Sequence, residues 1–317
     1  MLSRVADALY WMGRYLERSE NLTRLLLVTE DFSSETQGLA EPIAHAAWKD
    51  LLAIFPSSQV GPPVSAFAPM SQIYLVAFFL DGANPYSVHY SLRRARENAR
   101  SVREALTVEV FLALNETFRA LEAYARRGVP DLPSMRDALS STHKGLFTVA
   151  GAIEHTFTRD QGWLFLQLGT SLERIYRTAL VLRAKLPGLT ATEPRTDVAL
   201  YYTQWRTLLR ALGSLENYRR SYGARLEPEL VVPFLLLDPY SPRSLRYGME
   251  AVKGCLERIA GAGEATAALR LVGRLHADLC YRDERLAAAA ADAVFLDRVV
   301  DAVAQAHDAV TAHYFAT

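Results

Sequence analysis

YWMGRYLERSENLTRLL, residues Tyr10 to Leu26, decides how this chain is read. Set at about 100° per residue, Val5, Leu9, Met12, Leu16, Thr23 and Leu26 fall on one side of a helix. Arg14, Glu17, Asn21 and Arg24, spaced three, four and three apart, line the other side. Glu20 and Arg24 stand four apart in the favourable order, worth roughly 0.2–0.5 kcal/mol on an exposed helix. Taken alone, the stretch reads as an amphipathic helix with a solvated charged face.

A second copy complicates that reading. Gly13-Arg-Tyr-Leu16-Glu17-Arg18 recurs as Gly169-Thr-Ser-Leu172-Glu173-Arg174, 156 residues on. WKDLL from Trp48 is echoed by WRTLL from Trp205, and FFLDGANPYSVHY (Phe78 to Tyr90) by LLLDPYSPRSLRY (Leu235 to Tyr247), each 157 residues on. Three separated anchors at nearly one spacing point to a tandem duplication. The expectation is one unit over 1–317, built from helical repeats 1–150 and 151–317 packed together as pseudo-symmetric halves.

In the second copy Glu173 lies seven residues from Leu166 and from Leu180, where the first copy has Tyr10 and Arg24. A Glu flanked by apolar residues needs a cation when buried, and Arg177 lies one turn on. Glu17, Glu20, Glu97, Glu173, Arg174 and Arg177 are therefore expected in structural ion pairs. A functional cleft around Glu17 is the alternative.

The bulk composition bounds the rest. A chain of 317 residues, half of them hydrophobic, can bury a substantial core. With 22% charged residues and a formal net charge of +0, neither disorder nor a nucleic-acid-binding tail is signalled. Only four of the 35 basic residues are lysines (Lys49, Lys144, Lys185, Lys253), and arginine suits fixed bidentate pairing. Two cysteines, Cys255 and Cys280, make neither a disulfide framework nor a zinc site. The start lacks the pattern of a signal peptide. The longest apolar run, Ile73 to Leu80, falls far short of the ~20 residues that a membrane span needs, so a cytoplasmic location is expected.

Helices are expected throughout, and strand-like alternation is nearly absent, so the class is all-α. Thr158 with Gln161 has the capping-box form, and Asn84-Pro85 and Ser241-Pro242 resemble N-caps followed by proline. Pro/Gly-rich breaks are expected at Pro56 to Met70, Arg126 to Ser134 and Pro187 to Thr196. Asp81 and Asp238 are expected to form turns ahead of helices.

Candidate chemistry centres on two arginine-rich stretches. SLRRARENARSVRE offers Arg93, Arg96 and Arg100, whose forked donors suit phosphate or carboxylate groups. Arg14, Asn21 and Arg24 of the opening helix complete the expected binding set. Arg93–Glu97 and Arg100–Glu104 are i,i+4 pairs that neutralise part of this charge, and no aromatic residues interleave to stack bases. The Glu-x-x-His of a di-metal bundle is absent, since the residues three before the seven histidines are Pro42, Tyr86, Ser140, Ala152, Gly273, Ala304 and Val310. No zinc-protease, nucleophile-elbow, P-loop or dinucleotide motif occurs, so no metal or cofactor is expected.

MLSRVADALYWMGRYLERSENLTRLL resembles the start of the bacterial alpha-E domain family, helical proteins of unknown function. The resemblance continues in SVHYSLRRARENARSVRE, TRDQGWLFLQLGTSLER, VVPFLLLDPYSPRSLRY and the closing HDAVTAHYF. Thr170 and Ser171 replace the family's usual Arg-Tyr, and Tyr176 stands where an acidic residue is common, which weighs against catalysis by the second copy. The resemblance implies company: relatives occur beside or fused to circularly permuted ATP-grasp proteins, and near transglutaminase-like proteins. That company looks like an amide-ligase system making or modifying a peptide or small metabolite. Together with the arginine-rich helices it leads to the expectation of an accessory or binding component, engaging the ligase or an anionic substrate, while the residue pattern leads to no expectation of nucleic acid or membrane as partner. The alternative is an enzyme in that pathway, with Glu17 as general acid/base beside Asn21, Arg24, Arg93 and Arg100.

Overall fold

Between Ser3 and Glu35 there is no proline and one glycine, Gly13, and the segment forms a single helix, α1, of 33 residues. The computed structural model describes residues 2–38, 40–56, 69–128, 130–191, 198–223, 226–261, 265–283 and 293–316. Among these there are thirteen α-helices and no strand, so the chain is all-α. After α1 come α2 (Glu41–Ile54), α3 (Met70–Leu75), α4 (Val88–Ser101), α5 (Val108–Ala125), α6 (Leu132–Thr156) and α7 (Gln161–Ala191). They are followed by α8 (Val198–Ala211), α9 (Leu215–Tyr222), α10 (Pro228–Leu237), α11 (Leu245–Ala260), α12 (Ala267–Cys280) and α13 (Ala293–Val310). The chain forms two compact units, Met1–Thr170 and Ser171–Thr317, whose boundary falls inside α7. No helix among the described residues is long and apolar enough to cross a membrane.

In the first unit α1 is the central element. It packs most extensively against α4 and also against α6 and α2, while α5 lies on α6 and α4. The buried face of α4 is Val88, Ser91, Leu92, Ala95 and Ala99, mostly small side chains that permit close helix approach. Leu9, Tyr10, Met12, Leu22 and Leu26 are fully enclosed on α1. In the second unit α12 packs between α11 and α13, and α10 lies on α11.

Several helix boundaries depart from the sequence expectations. Asn84 does not cap α4, because its side chain is spent in the preceding turn: Nδ2 donates to the carbonyl of Ala77 at 2.8 Å and Oδ1 accepts from Tyr86 N. Ser87 is the cap, accepting from Tyr90 N at 3.0 Å. Ser244 replaces Ser241 in the same way at α11, accepting from Tyr247 N at 3.1 Å. At α7 the cap is Asp160, which accepts from Trp163 N, and not Thr158. The break expected from Pro187 does not fall at that proline, for α7 runs through it to Ala191. The ring removes one backbone donor and kinks a helix but does not always end it. Most of the Pro56–Met70 break, and part of that after Pro187, lies outside the described residues.

Local structure recurs along the chain. Asp81 and Asp238 each open a turn, through Oδ1 to Ala83 N and to Tyr240 N and Ser241 N respectively. Ser87 Oγ donates to the carbonyl of Asp81 and Ser244 Oγ to that of Asp238. His89 meets the carbonyl of Leu80 at 3.0 Å, and Arg246 donates to that of Leu237 at 3.4 Å. Every one of these pairs is separated by 157 residues, as are the starts of α2 and α8 and of α4 and α11.

Candidate functional site: the charged stretch of α1

The charged side of α1 is not solvated. None of Arg14, Glu17, Glu20, Asn21 and Arg24 is more than 8% exposed. The face that spacing alone would leave in water is enclosed as α4 and α6 pack on α1, and these helices bring partners with them. Buried charges are costly unless paired, and the pairing is dense. Arg24 donates to Glu20, and His143 of α6 meets Glu20 Oε1 at 3.2 Å. Farther along α1, Arg136 of α6 bridges Glu30 and Asp31.

Toward the start of α1, Arg14 donates to the hydroxyl of Tyr10 at 3.2 Å and lies over the Trp11 ring. Arg18 lies over the ring of Tyr15. Asn21 behaves differently. It is 1% exposed, and neither its Oδ1 nor its Nδ2 has a hydrogen-bond partner among the described residues. A buried amide left so gives up stability of about 1–3 kcal/mol.

The recurrence of Leu-Glu-Arg at Leu172–Arg174 lies at the start of the second unit. Arg177 Nε donates to Glu173 Oε1 at 2.8 Å, with the two side chains 3% and 0% exposed. The Arg177 guanidinium also covers the ring of Tyr176. Arg174 is half-buried.

The arginines of α4 do not share one site. Arg93 donates to the carbonyl of Gly82 at 3.0 Å and covers the Tyr90 ring. Arg96 Nε donates to Asn115 Oδ1 of α5 at 2.6 Å and covers Phe118. Arg100 is exposed. The expected Arg93–Glu97 pair is replaced by Arg94–Glu97 at 2.8 Å, because Arg93 is held by the loop carbonyl. Arg100–Glu104 is not formed either: α4 ends at Ser101 and Glu104 sits in a 3-10 turn, which breaks the i,i+4 register. Of the six residues expected to bind an anion, then, Arg14, Asn21 and Arg24 are buried, Arg93 and Arg96 are half-buried, and Arg100 is exposed. Neither described cavity is lined by any of the six.

Two features were not read from the sequence. His89 places Nδ1 3.0 Å from the carbonyl of Leu80 and Nε2 2.7 Å from Glu122 Oε2, joining α4 to the preceding turn and to α5. Nothing in the sequence links positions 33 apart on separate helices. The second is a close helix approach at the two repeated glycines. A Cβ on Gly13 would overlap the carbonyl oxygen of Leu166, and one on Gly169 would overlap that of Tyr10. Its signal was present, as a glycine kept in both copies of a helical motif where it lowers helix propensity.

Residues 1–315 match the Alpha-E family, described as a predicted alpha-helical domain with a conserved ER motif. The chain belongs to the Alpha-E family. Leu-Glu-Arg occurs in this Alpha-E chain at Leu16–Arg18, Leu172–Arg174 and Leu256–Arg258. Glu17 and Glu173 are buried, whereas Glu257 has a half-exposed side chain 3.6 Å from Lys253. The chain is 28% identical over 294 residues to uncharacterized proteins of Mycobacterium bovis and Mycobacterium tuberculosis, and 27% identical to another from Mycobacterium tuberculosis. Each match covers 87% of this chain but 32% of the relative, so the Alpha-E chain spans about a third of these proteins' length. No solved structure gave a significant match.

Proposed function

We propose that this Alpha-E chain is a non-catalytic binding component of an ATP-grasp amide-ligase system, docking the ligase or its anionic substrate. The observation that carries the reading is the length of the relatives, in which the matching segment is about a third of a much longer chain. Such a segment works beside other domains. The ligase as neighbour rests on the family resemblance, and an ATP-using system places the chain in the cytoplasm. The burial of Glu17 and Asn21, and the internal engagement of Arg93 and Arg96, favour architecture over a solvent-accessible catalytic cluster. Arg100 is the most exposed of the expected anion-binding residues.

The same proposal includes an ancestral duplication, with repeats over 1–150 and 151–317. The 157-residue recurrence of turns, caps and helix starts supports it.

Co-purification with the neighbouring ATP-grasp protein, and separately with the transglutaminase-like protein, tests the docking. A complex with the ATP-grasp protein at micromolar concentration, weakened by Arg100→Glu, is expected. Failure of the chain to associate with it, with and without ATP and substrate, would refute the proposal.

A further inference from the structure

In the first unit, the end of α1, one face of α2 and the starts of α3 and α6 border a cavity of about 340 Å³. Small-molecule sites run to roughly 300–1,000 Å³, so the space is of ligand size. Its walls are tied to one another in a ring. Ala40 N, ahead of α2, donates to the carbonyl of Thr36, just past α1, at 3.0 Å. The rings of Trp48 on α2 and Tyr74 on α3 lie 5.7 Å apart. Gln72 of α3 donates to the carbonyl of Pro130, ahead of α6, at 3.0 Å, and Arg136 of α6 pairs with Glu30 of α1. Each wall is thus fixed to the next.

The lining carries charge of one sign. Glu30 and Glu41 contribute carboxylates, and no lysine or arginine lines the space. Glu30 is already answered, since Arg136 pairs with it from outside the lining and Ser34 donates to it at 3.1 Å. Glu41 is not. Its carboxylate is exposed and has neither an ion-pair nor a hydrogen-bond partner among the described residues. The side chains of Ser33, Gln37 and Ser71 also line the cavity and also lack partners among the described residues. One open carboxylate therefore stands beside three neutral side chains whose oxygens can accept, with Met70 and Leu132 as apolar wall.

An ammonium group has three donors and no acceptor, which is what such a lining lacks, whereas an anion would meet a carboxylate and no cation. We propose that the cavity binds a small organic amine, its ammonium held by Glu41 and the neighbouring side-chain oxygens and its body against Met70 and Leu132. This goes beyond docking to a ligase and does not depend on it, since the chain by itself would bind the amine.

Calorimetric titration of the full chain at fixed ionic strength tests the site, with phenethylamine as probe, phenethyl alcohol as its neutral counterpart and 3-phenylpropionate as the anion. His45 also lines the cavity, so the titration is run at pH 8, where free imidazole carries little charge. Phenethylamine should bind with a Kd of about 1 mM or tighter, and the alcohol and the anion at least about fivefold more weakly. Glu41→Gln should weaken the amine at least about fivefold. Glu216→Gln, the same charge change in the second unit, should leave its affinity unaltered. Both positions are exposed, so both variants should keep the wild-type melting temperature closely. Absence of phenethylamine binding, equal binding of the alcohol or the anion, or equal affinity of Glu41→Gln and wild type would overturn the proposal.

Discussion

Gly13 of α1 and Gly169 of α7 approach each other's helices reciprocally: each faces the carbonyl oxygen of the residue three before the other, Leu166 and Tyr10. The Cβ that would overlap Leu166 would also stand 2.8 Å from Thr170 Oγ1. Backbone cannot yield as a flexible side-chain tip can.

Gly13→Ala and Gly169→Ala should therefore destabilise the fold by about 1–3 kcal/mol or more, despite alanine's helix-propensity advantage of about 1 kcal/mol. Gly254, in the middle of α11, has open space around its Cβ position. Gly254→Ala should be neutral or stabilising by up to about 1 kcal/mol. Urea melts of the three variants check this, and a Gly13→Ala variant as stable as Gly254→Ala would contradict the close approach.

Arg96 and Arg100 should separate by what they touch. Arg96→Ala loses the hydrogen bond to Asn115 and the cover over Phe118, and should cost about 1–2 kcal/mol. Arg100→Ala should change stability by less than about 0.5 kcal/mol, as exposed substitutions do. Thermal melts of the two variants suffice.

The two thiols should differ in reactivity. Burial pushes the Cys255 thiol up to about 11, whereas Cys280 is partly exposed at the end of α12, 3.3 Å from His276 Nε2. Since thiolate and access govern alkylation, iodoacetamide at neutral pH should label Cys280 and spare Cys255 in the folded chain. Peptide mapping by mass spectrometry reads the outcome.

Acid should weaken the link from α4 to α5. The hydrogen bond from His89, then that from Arg126, holds the Glu122 carboxyl below its usual value of 4.5. A carboxylate lowered in the folded state stabilises the fold above its unfolded pKa, and that contribution is lost as pH falls through the folded one. Wild type should thus lose more stability than Glu122→Gln below about pH 4.5. The side chain is partly exposed, so the difference should stay under about 1 kcal/mol. Denaturation across a pH series measures it.

The sequence made the helical class and the 157-residue recurrence legible because both are written in local spacing. What covers a helix is not local. The side of α1 that carries Glu20 and Arg24 reads as solvated until α6 brings His143 against Glu20, across 123 residues of sequence. The cap at Ser87 was obscured by Asn84-Pro85, a strong start signal whose side chain is drawn back to Ala77. Arg93 was paired on paper with Glu97, although the nearest acceptor is a loop carbonyl at Gly82 that helix spacing cannot reveal.

The central claim is that the glutamates of the repeated motif build the fold rather than perform chemistry. Urea denaturation of Glu17→Gln and Glu173→Gln, beside an activity assay of the reconstituted ligase system, tests it most directly. Removing one member of the Glu173–Arg177 pair leaves a buried charge unmatched, so Glu173→Gln should cost about 3–5 kcal/mol. Glu17→Gln should cost about 1–3 kcal/mol. Unshifted stability in both variants, with activity abolished in either, would contradict the account.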